Sequence, residues 1–210
     1  MDDTVLAQIK ADSEAILRSW EAEVNPSLPY VEDLSEVRPR SAEDVASRIC
    51  ALAYVVECGF GAPADQAVRN LKVFGLWSSL SQSERDLLQA ESLDKQQLVN
   101  WTWLVEAIAA LMWVIGRADL HHDRQCDDSL SHLIPRRVDP AHFIRSAELR
   151  PVSEIQRMCD LLYRLHWYTR NCRLLSKDCK FEEGLVWEHR RAIDWAYGVE
   201  ADWDEIPGDT

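Results

Sequence analysis

Apolar residues recur along this chain at the three- and four-residue spacing of α-helices, and it contains no β-rich segment, internal repeat or low-complexity tract. The strongest helical pattern covers residues 94–116. Asp94 and Gln97 form a capping pattern at its start, and Gly116 ends it. Both faces of this segment are largely apolar, and one stripe consists of Leu98, Trp101, Val105, Ile108, Met112 and Ile115. Such a helix belongs at the centre of a bundle.

The remaining pattern places other segments around this central helix. The pattern predicts an N-terminal helix over residues 1–24. It predicts an extended strap across the surface over residues 25–40, because this segment contains three prolines. Residues 41–198 predict the helical core, and residues 199–210 an acidic tail. The sequence therefore predicts one all-α domain, an orthogonal bundle of about seven to nine helices around the segment near residues 94–116.

Several helix starts in the core are marked by residues that cap helices. The capping pairs are Ser41 with Asp44, Ser81 with Glu84, and Ser153 with Gln156. The last helix covers about residues 183–197 and ends at Gly198. Between residues 119 and 137 the helical signal is poor, so we expect a loop with a short helix at most, and its order is left open.

The chain is strongly acidic. It has 210 residues, of which 36 are acidic and 23 basic, and its formal net charge is −13. Such a surface repels phosphate backbones and anionic membranes, so we expect neither nucleic acid nor membrane as a partner. It suits a protein partner with a basic face, although acidity also keeps many proteins soluble without any such partner.

Cysteine usage and the first residues favour the cytoplasm. The six cysteines form no C-x-x-C pair and no zinc spacing, which predicts reduced thiols. The start, Met1–Asp3, is acidic, unlike a secretory signal peptide. The longest apolar stretch, Leu104 to Ile115, contains Glu106 and is short for a membrane span.

Glu106 is the most informative single residue, because it lies on an apolar helix between tryptophan and alanine side chains. A buried carboxylate must be paired, hydrogen-bonded or protonated. We expect an arginine of another helix as its partner, the candidates being Arg48, Arg164 and Arg190. A buried ion pair that fixes helix register is the favoured interpretation, and a catalytic carboxylate is the alternative.

The run Glu188–Arg191 is the densest ionisable cluster on a predicted helix, and Asp194 and Trp195 extend it. Glu188 and Arg191 are three residues apart and can pair along the helix. The favoured interpretation is an intrahelical salt-bridge network. The alternative is a pocket for a small anion or a carbohydrate, lined by arginine and tryptophan.

Neither the positions of the histidines nor a search for familiar catalytic motifs indicates an enzyme. His166 lies near the buried face of its helix, as is typical of a hydrogen-bonded core histidine. His121, His122 and Cys126 match no metal-site spacing, so no metal is predicted. The chain has no G-x-S-x-G, P-loop, G-x-G-x-x-G or H-E-x-x-H motif, and no cofactor is predicted. Dispersed residues can still build an enzyme site.

The acidic tail carries two apolar residues, Trp203 and Ile206, on either side of Asp204 and Glu205. Tryptophan is often a binding hot spot at protein interfaces. Trp203, Asp204 and Ile206 therefore either dock back on the bundle, which we favour, or bind a partner.

Several segments, in this order, resemble the bacterial family of domain of unknown function 4272. The segments are residues 41–48 (SAEDVASR), the helix of residues 101–116 with Glu106, residues 162–167 (LYRLHW), residues 186–195 (VWEHRRAIDW), and the ending Trp203-Asp204 with Asp209-Thr210. The resemblance runs from about residue 38 to the end, and it departs at His189, where we expect arginine. It implies an all-helical domain in which Arg48, Glu106, Arg164, Glu188, Arg190 and the Trp203-Asp204 tail share one arrangement. It implies no activity.

These observations favour a non-enzymatic protein-interaction module in the cytosol. Its most specific form would be an immunity protein or antitoxin that neutralises a bacterial toxin or effector with a basic face. A second copy of the chain is an alternative partner. A hydrolase or transferase, or a small-ligand sensor, remains the alternative function, and either would use the buried glutamate, arginine and tryptophan residues.

Overall fold

The computed structural model describes residues 3–208, and within them the chain is helical and contains no strand. The eight α-helices are α1 (Asp3–Ser19), α2 (Ala42–Gly59), α3 (Ala64–Val73), α4 (Gln82–Leu88), α5 (Lys95–Val114), α6 (Ala141–Arg145), α7 (Val152–Leu174) and α8 (Glu183–Tyr197). Short 3-10 helices cover Trp77–Ser79, Asp128–Leu133 and Trp203–Glu205. The predicted all-α multi-helix bundle is confirmed. Met1-Asp2 and the Asp209-Thr210 ending lie outside the described residues.

Helix α5 lies at the centre of the bundle, as its pattern predicts. It packs against α2 on one side and α8 on another, while α7 packs on α8 and α1 packs on α7. Its apolar faces join a single hydrophobic core to which nearly every helix contributes. By length and composition alone α5 could also cross a membrane, but core helices of soluble proteins pass the same test, and more than half of its most apolar window is buried here.

Three of the predicted capping boxes are confirmed. Ser41, Ser81 and Asp94 each accept a hydrogen bond from the backbone N–H three residues later, and each later side chain bonds back to the first residue. The fourth predicted capping pair, Ser153 with Gln156, is wrong. Helix α7 begins at Val152 after Pro151, which supplies no side-chain cap, and the amide of Gln156 is used elsewhere. Proline at a helix start needs no N–H partner and already has a helical φ.

The strap of residues 25–40 runs across α7 and α8 without regular structure, so side chains must satisfy its carbonyl groups. Arg164 donates to the carbonyl of Pro29 at 2.9 Å. The Gln156 amide and the Tyr197 hydroxyl both donate to the carbonyl of Glu32, at 3.1 and 2.8 Å. These long-range bonds hold the strap against the two helices.

The strap also meets the end of α8, where Gly198 adopts a left-handed conformation with φ of 89°. A Cβ atom at Gly198 would overlap the carbonyl group of Arg38. Glycine is therefore required here for two reasons, the backbone conformation and the close approach of the strap.

These two reasons can be separated by comparing Gly198→Ala with Gly61→Ala. Gly61 has a similar φ of 94°, but a Cβ atom there would meet open space. Gly61→Ala should lower the free energy of unfolding by about 1–2 kcal/mol, the cost of a left-handed alanine. Gly198→Ala should cost clearly more, because the strap must also move. Urea denaturation measures both values, and equal losses would show that the strap contact is unimportant.

Candidate functional site

Arg48, in α2, is almost completely buried, with 2% of its surface exposed. It forms two hydrogen bonds to the carboxylate of Glu84, at 2.6 and 2.7 Å, and a third to the carbonyl of Ser79, at 2.8 Å. Glu84 also accepts from the Ser81 N–H at 2.9 Å in the capping box of α4. The indole of Trp203 lies 4.1 Å from the guanidinium carbon of Arg48. We call Arg48, Glu84 and Trp203 the Arg48 cluster.

The acidic tail docks on the bundle through this cluster. Trp203 is 3% exposed and Ile206 is 7% exposed. Trp203 also contacts Trp195 edge-on, with ring centroids 5.6 Å apart. Asp204 accepts from the backbone N–H and the hydroxyl of Ser83, at 3.0 and 2.7 Å, in the first turn of α4. The two apolar side chains that could have bound a partner are thus covered by the protein itself, whereas Asp204 is exposed.

Glu106 is buried, with 2% of its surface exposed. The prediction that an arginine pairs with it is wrong. Its carboxylate accepts from the backbone N–H of Cys126 at 3.1 Å and lies 3.3 Å from Nε2 of His189. Nδ1 of His189 in turn lies 3.3 Å from Nδ1 of His122. Burial, followed by the nearby His189, lowers the pKa of His122 to about 3, so its ring is neutral. His189 therefore lies between Glu106 and His122, with one ring nitrogen within hydrogen-bond distance of each.

A cavity of about 630 Å³ opens beside Glu106 and His189, between α5 and the loop of residues 118–133. We call it the acidic cavity. Three exposed aspartates line it, Asp119, Asp127 and Asp128. A backbone hydrogen bond from Ser129, at 2.7 Å, lowers the pKa of Asp127 and so favours its charged form. The predicted loop is present, and its short helix is the 3-10 helix Asp128–Leu133.

Arg190 contacts two buried side chains, His166 of α7 and Asp194 of α8. We call these three residues the Arg190 cluster. The Nε atom of Arg190 lies 3.1 Å from Asp194, and its Nη1 lies 2.8 Å from Nδ1 of His166. Burial raises the pKa of Asp194 to about 6, against the opposing effect of Arg190. Burial, with a further contribution from Arg190, lowers the pKa of His166 to about 4. A neutral His166 can accept the hydrogen bond from Arg190, as expected for a core histidine.

Arg164 belongs to none of these groups. It pairs with Asp160 one turn earlier in α7 through two hydrogen bonds of 2.8 Å, besides its bond to the strap. The residues that the family resemblance joins in one arrangement therefore form several separate buried contacts.

The pairing predicted between Glu188 and Arg191 is present at 3.9 Å. Burial raises the pKa of Glu188. Glu188 and Arg191 line a second cavity of about 520 Å³, together with three tryptophans, Trp101, Trp103 and Trp187. Arg191 also lies over the ring of Trp203, at 4.7 Å.

The cysteines and acidic groups show no metal-site geometry. Among residues 3–208, no three side chains of His, Cys, Asp or Glu converge as a metal site would require. The six cysteines are free thiols, and burial raises the pKa of most of them, to about 12 for Cys50 and Cys126. A thiol with so high a pKa is a poor nucleophile.

Two features of these sites were missed from the sequence. Glu84 is recognisable as a capping residue, but nothing in the pattern points to Arg48 as its second partner, 36 residues away. A pocket at Glu188–Arg191 was the alternative interpretation, but its walls Trp101, Trp103 and Trp187 were missed, because helical spacing assigns such residues to the core.

The profile of the family described as Domain of unknown function (DUF4272) matches residues 9–206, and the chain belongs to this family. No curated protein and no solved structure matches the chain.

The Arg190 cluster predicts opposite pH effects for Asp194→Asn and His166→Asn. With a pKa raised from 3.8 to about 6, the native Asp194 keeps a proton that the unfolded chain has lost, so this carboxyl makes stability fall as pH rises from 4 to 6. With a pKa lowered from 6.5 to about 4, His166 makes stability rise with pH over the same window.

Compared with the wild type, the unfolding free energy of Asp194→Asn should therefore rise more, or fall less, as pH increases. That of His166→Asn should rise less, or fall more. Each change is at most about 1.4 kcal/mol per pH unit. Urea denaturation between pH 4 and 6 measures these slopes. Slopes that change in the same direction in both variants would contradict this account.

Proposed function

We propose that this member of the DUF4272 family is a non-enzymatic protein-interaction module of the cytosol. In its most specific form it is an immunity protein or antitoxin that binds and neutralises a bacterial toxin or effector. The observation that carries the proposal is the acidic cavity, which combines an open entrance, negative charge and a rigid floor. It suits a lysine or arginine side chain on the basic face of a partner.

The floor of the acidic cavity is preorganised by the bundle. Glu106 is held by the Cys126 N–H and by His189, so a cationic side chain would meet a carboxylate that is already oriented. Preorganisation lowers the entropy lost on binding. Leu133, on the cavity wall, is 51% exposed and offers an apolar contact beside the aspartates.

Acidic charge dominates the entrance to this cavity. Arg124 lies among the lining residues but is 3.7 Å from Asp123, so its charge is partly compensated. Elsewhere, many basic side chains are paired with acids of the same chain, as in Arg18–Glu14, Arg69–Asp65, Arg157–Asp12 and Arg173–Glu183. The excess of acidic residues is therefore available to steer a basic partner, and such steering weakens with added salt.

The test is co-expression and capture with the product of the adjacent gene, followed by charge removal at the acidic cavity. The triple variant Asp119→Asn, Asp127→Asn and Asp128→Asn should lower the association rate and weaken affinity by about tenfold or more, as expected for lost electrostatic steering and pairing. Asparagine at position 127 can still cap the 3-10 helix. Surface plasmon resonance at low and high salt measures both quantities.

The matched control changes three exposed acids outside the cavity, Glu91→Gln, Glu148→Gln and Asp178→Asn. It alters the net charge by the same amount, so it should reduce the association rate only slightly. Equal effects of the two triple variants would remove the acidic cavity from the interface. Failure of the neighbouring gene product to bind, together with failure of co-expression to rescue cells from it, would count against the immunity role.

An enzymatic role has one observation in its favour, because Glu106 and His189 form a carboxylate–histidine pair beside the acidic cavity. Under the interaction proposal, neither the wild type nor Glu106→Gln should turn over esters, amides, glycosides or phosphoesters above the buffer rate. Turnover by the wild type that Glu106→Gln and His189→Gln both abolish, in folded protein, would establish a hydrolase instead.

A further inference from the structure

The second cavity, which we call the aromatic cavity, lies between α4, α5 and α8 and encloses about 520 Å³. Trp101 and Trp103 line it from α5, and Trp187 lines it from α8. It shares no lining residue with the acidic cavity. Its size and its mixture of aromatic and polar walls are typical of small-molecule sites.

Glu188 is the group in this cavity that the bundle leaves incompletely satisfied. Its surface is 8% exposed, and its Oε2 atom has no hydrogen-bond partner among the described residues. The contact to Arg191 involves the other carboxylate oxygen, at 3.9 Å, which is longer than a hydrogen bond. Buried carboxylates normally have several hydrogen bonds, so Glu188, which lines this cavity, has acceptor capacity that the bundle leaves unused.

The polar groups of the aromatic cavity favour a neutral ligand. Arg191 supplies N–H donors next to the acceptor Glu188, and the second carboxylate in the wall, Glu84, is already held by Arg48. A cation would be repelled by Arg191, and an anion would be repelled by Glu188. An apolar ligand would leave Glu188 without a donor.

Hydroxyl groups fit this arrangement, because each can donate to Glu188 and accept from Arg191. A sugar ring carries adjacent hydroxyls along its edge and C–H groups on its faces. C–H groups pack favourably against the electron-rich face of an indole ring. Asn100, which also lines the cavity, offers a further polar contact at its exposed side.

We propose that the aromatic cavity binds a neutral saccharide, whose ring packs on the tryptophan side chains and whose hydroxyls bond to Glu188 and Arg191. The site is separate from the acidic cavity, so either proposal can fail without the other.

Saturation-transfer NMR and isothermal titration calorimetry on the full chain test this proposal. The probes are glucose, galactose, mannose, N-acetylglucosamine and ribose, each at millimolar concentration, with choline and glucuronate as charged comparisons. At least one neutral sugar should bind. Glu188→Gln and Trp103→Leu should each weaken that binding by about tenfold, because one removes a charged acceptor and the other a stacking surface.

Two controls separate binding from folding. Trp77→Leu alters a tryptophan of similar exposure outside the cavity and should leave sugar affinity unchanged. Glu188→Gln replaces a desolvated carboxylate by a neutral group of the same shape, so its melting temperature should not fall. Binding of none of the neutral sugars, stronger binding of choline or glucuronate, or sugar binding that survives both cavity substitutions would overturn the proposal.

Discussion

The burial of Arg48 is the constraint on which the rest of this structure depends. A guanidinium in the interior needs an opposite charge beside it, because an isolated buried charge is very costly. Glu84 supplies that charge to the two Nη atoms of Arg48, and it does so from a helix of only seven residues that could not be stable by itself. The same guanidinium supports Trp203, which anchors the tail. Thus α2, α4 and the C-terminal segment are held together by one side chain, and α4 forms a wall of the aromatic cavity.

The four consecutive ionisable residues of helix α8, Glu188 to Arg191, point in different directions. Successive residues of a helix are rotated by about 100°. Glu188 therefore faces the aromatic cavity, His189 faces Glu106, Arg190 reaches His166, and Arg191 reaches Trp203. This explains why the densest ionisable cluster of the chain is not one site. It also places the walls of two separate cavities on neighbouring residues of one rigid helix.

Local rules predicted the local features well. The capping boxes at Ser41, Ser81 and Asp94 and the central position of α5 depend on residues within one or two turns of each other, and the structure confirms them. Partners across the fold were not predictable in this way. Glu106 is bonded to a loop N–H and to a histidine 83 residues away, and periodicity contains no information about either. The three arginines expected as partners of Glu106, which are Arg48, Arg164 and Arg190, instead pair with Glu84, Asp160 and Asp194.

The buried ion pairs also determine where the net charge of this protein lies. Arg48–Glu84, Arg164–Asp160 and Arg190–Asp194 each combine one positive and one negative group in the interior. Because these pairs cancel, they leave the whole excess of −13 to the other ionisable residues. Four acids outside these pairs, Glu14, Asp33, Glu106 and Glu188, are also buried, and most of the remaining acids are exposed. Burying balanced pairs leaves the net charge unchanged, so the field that a basic partner would encounter comes from the exposed acids, which outnumber the exposed basic residues.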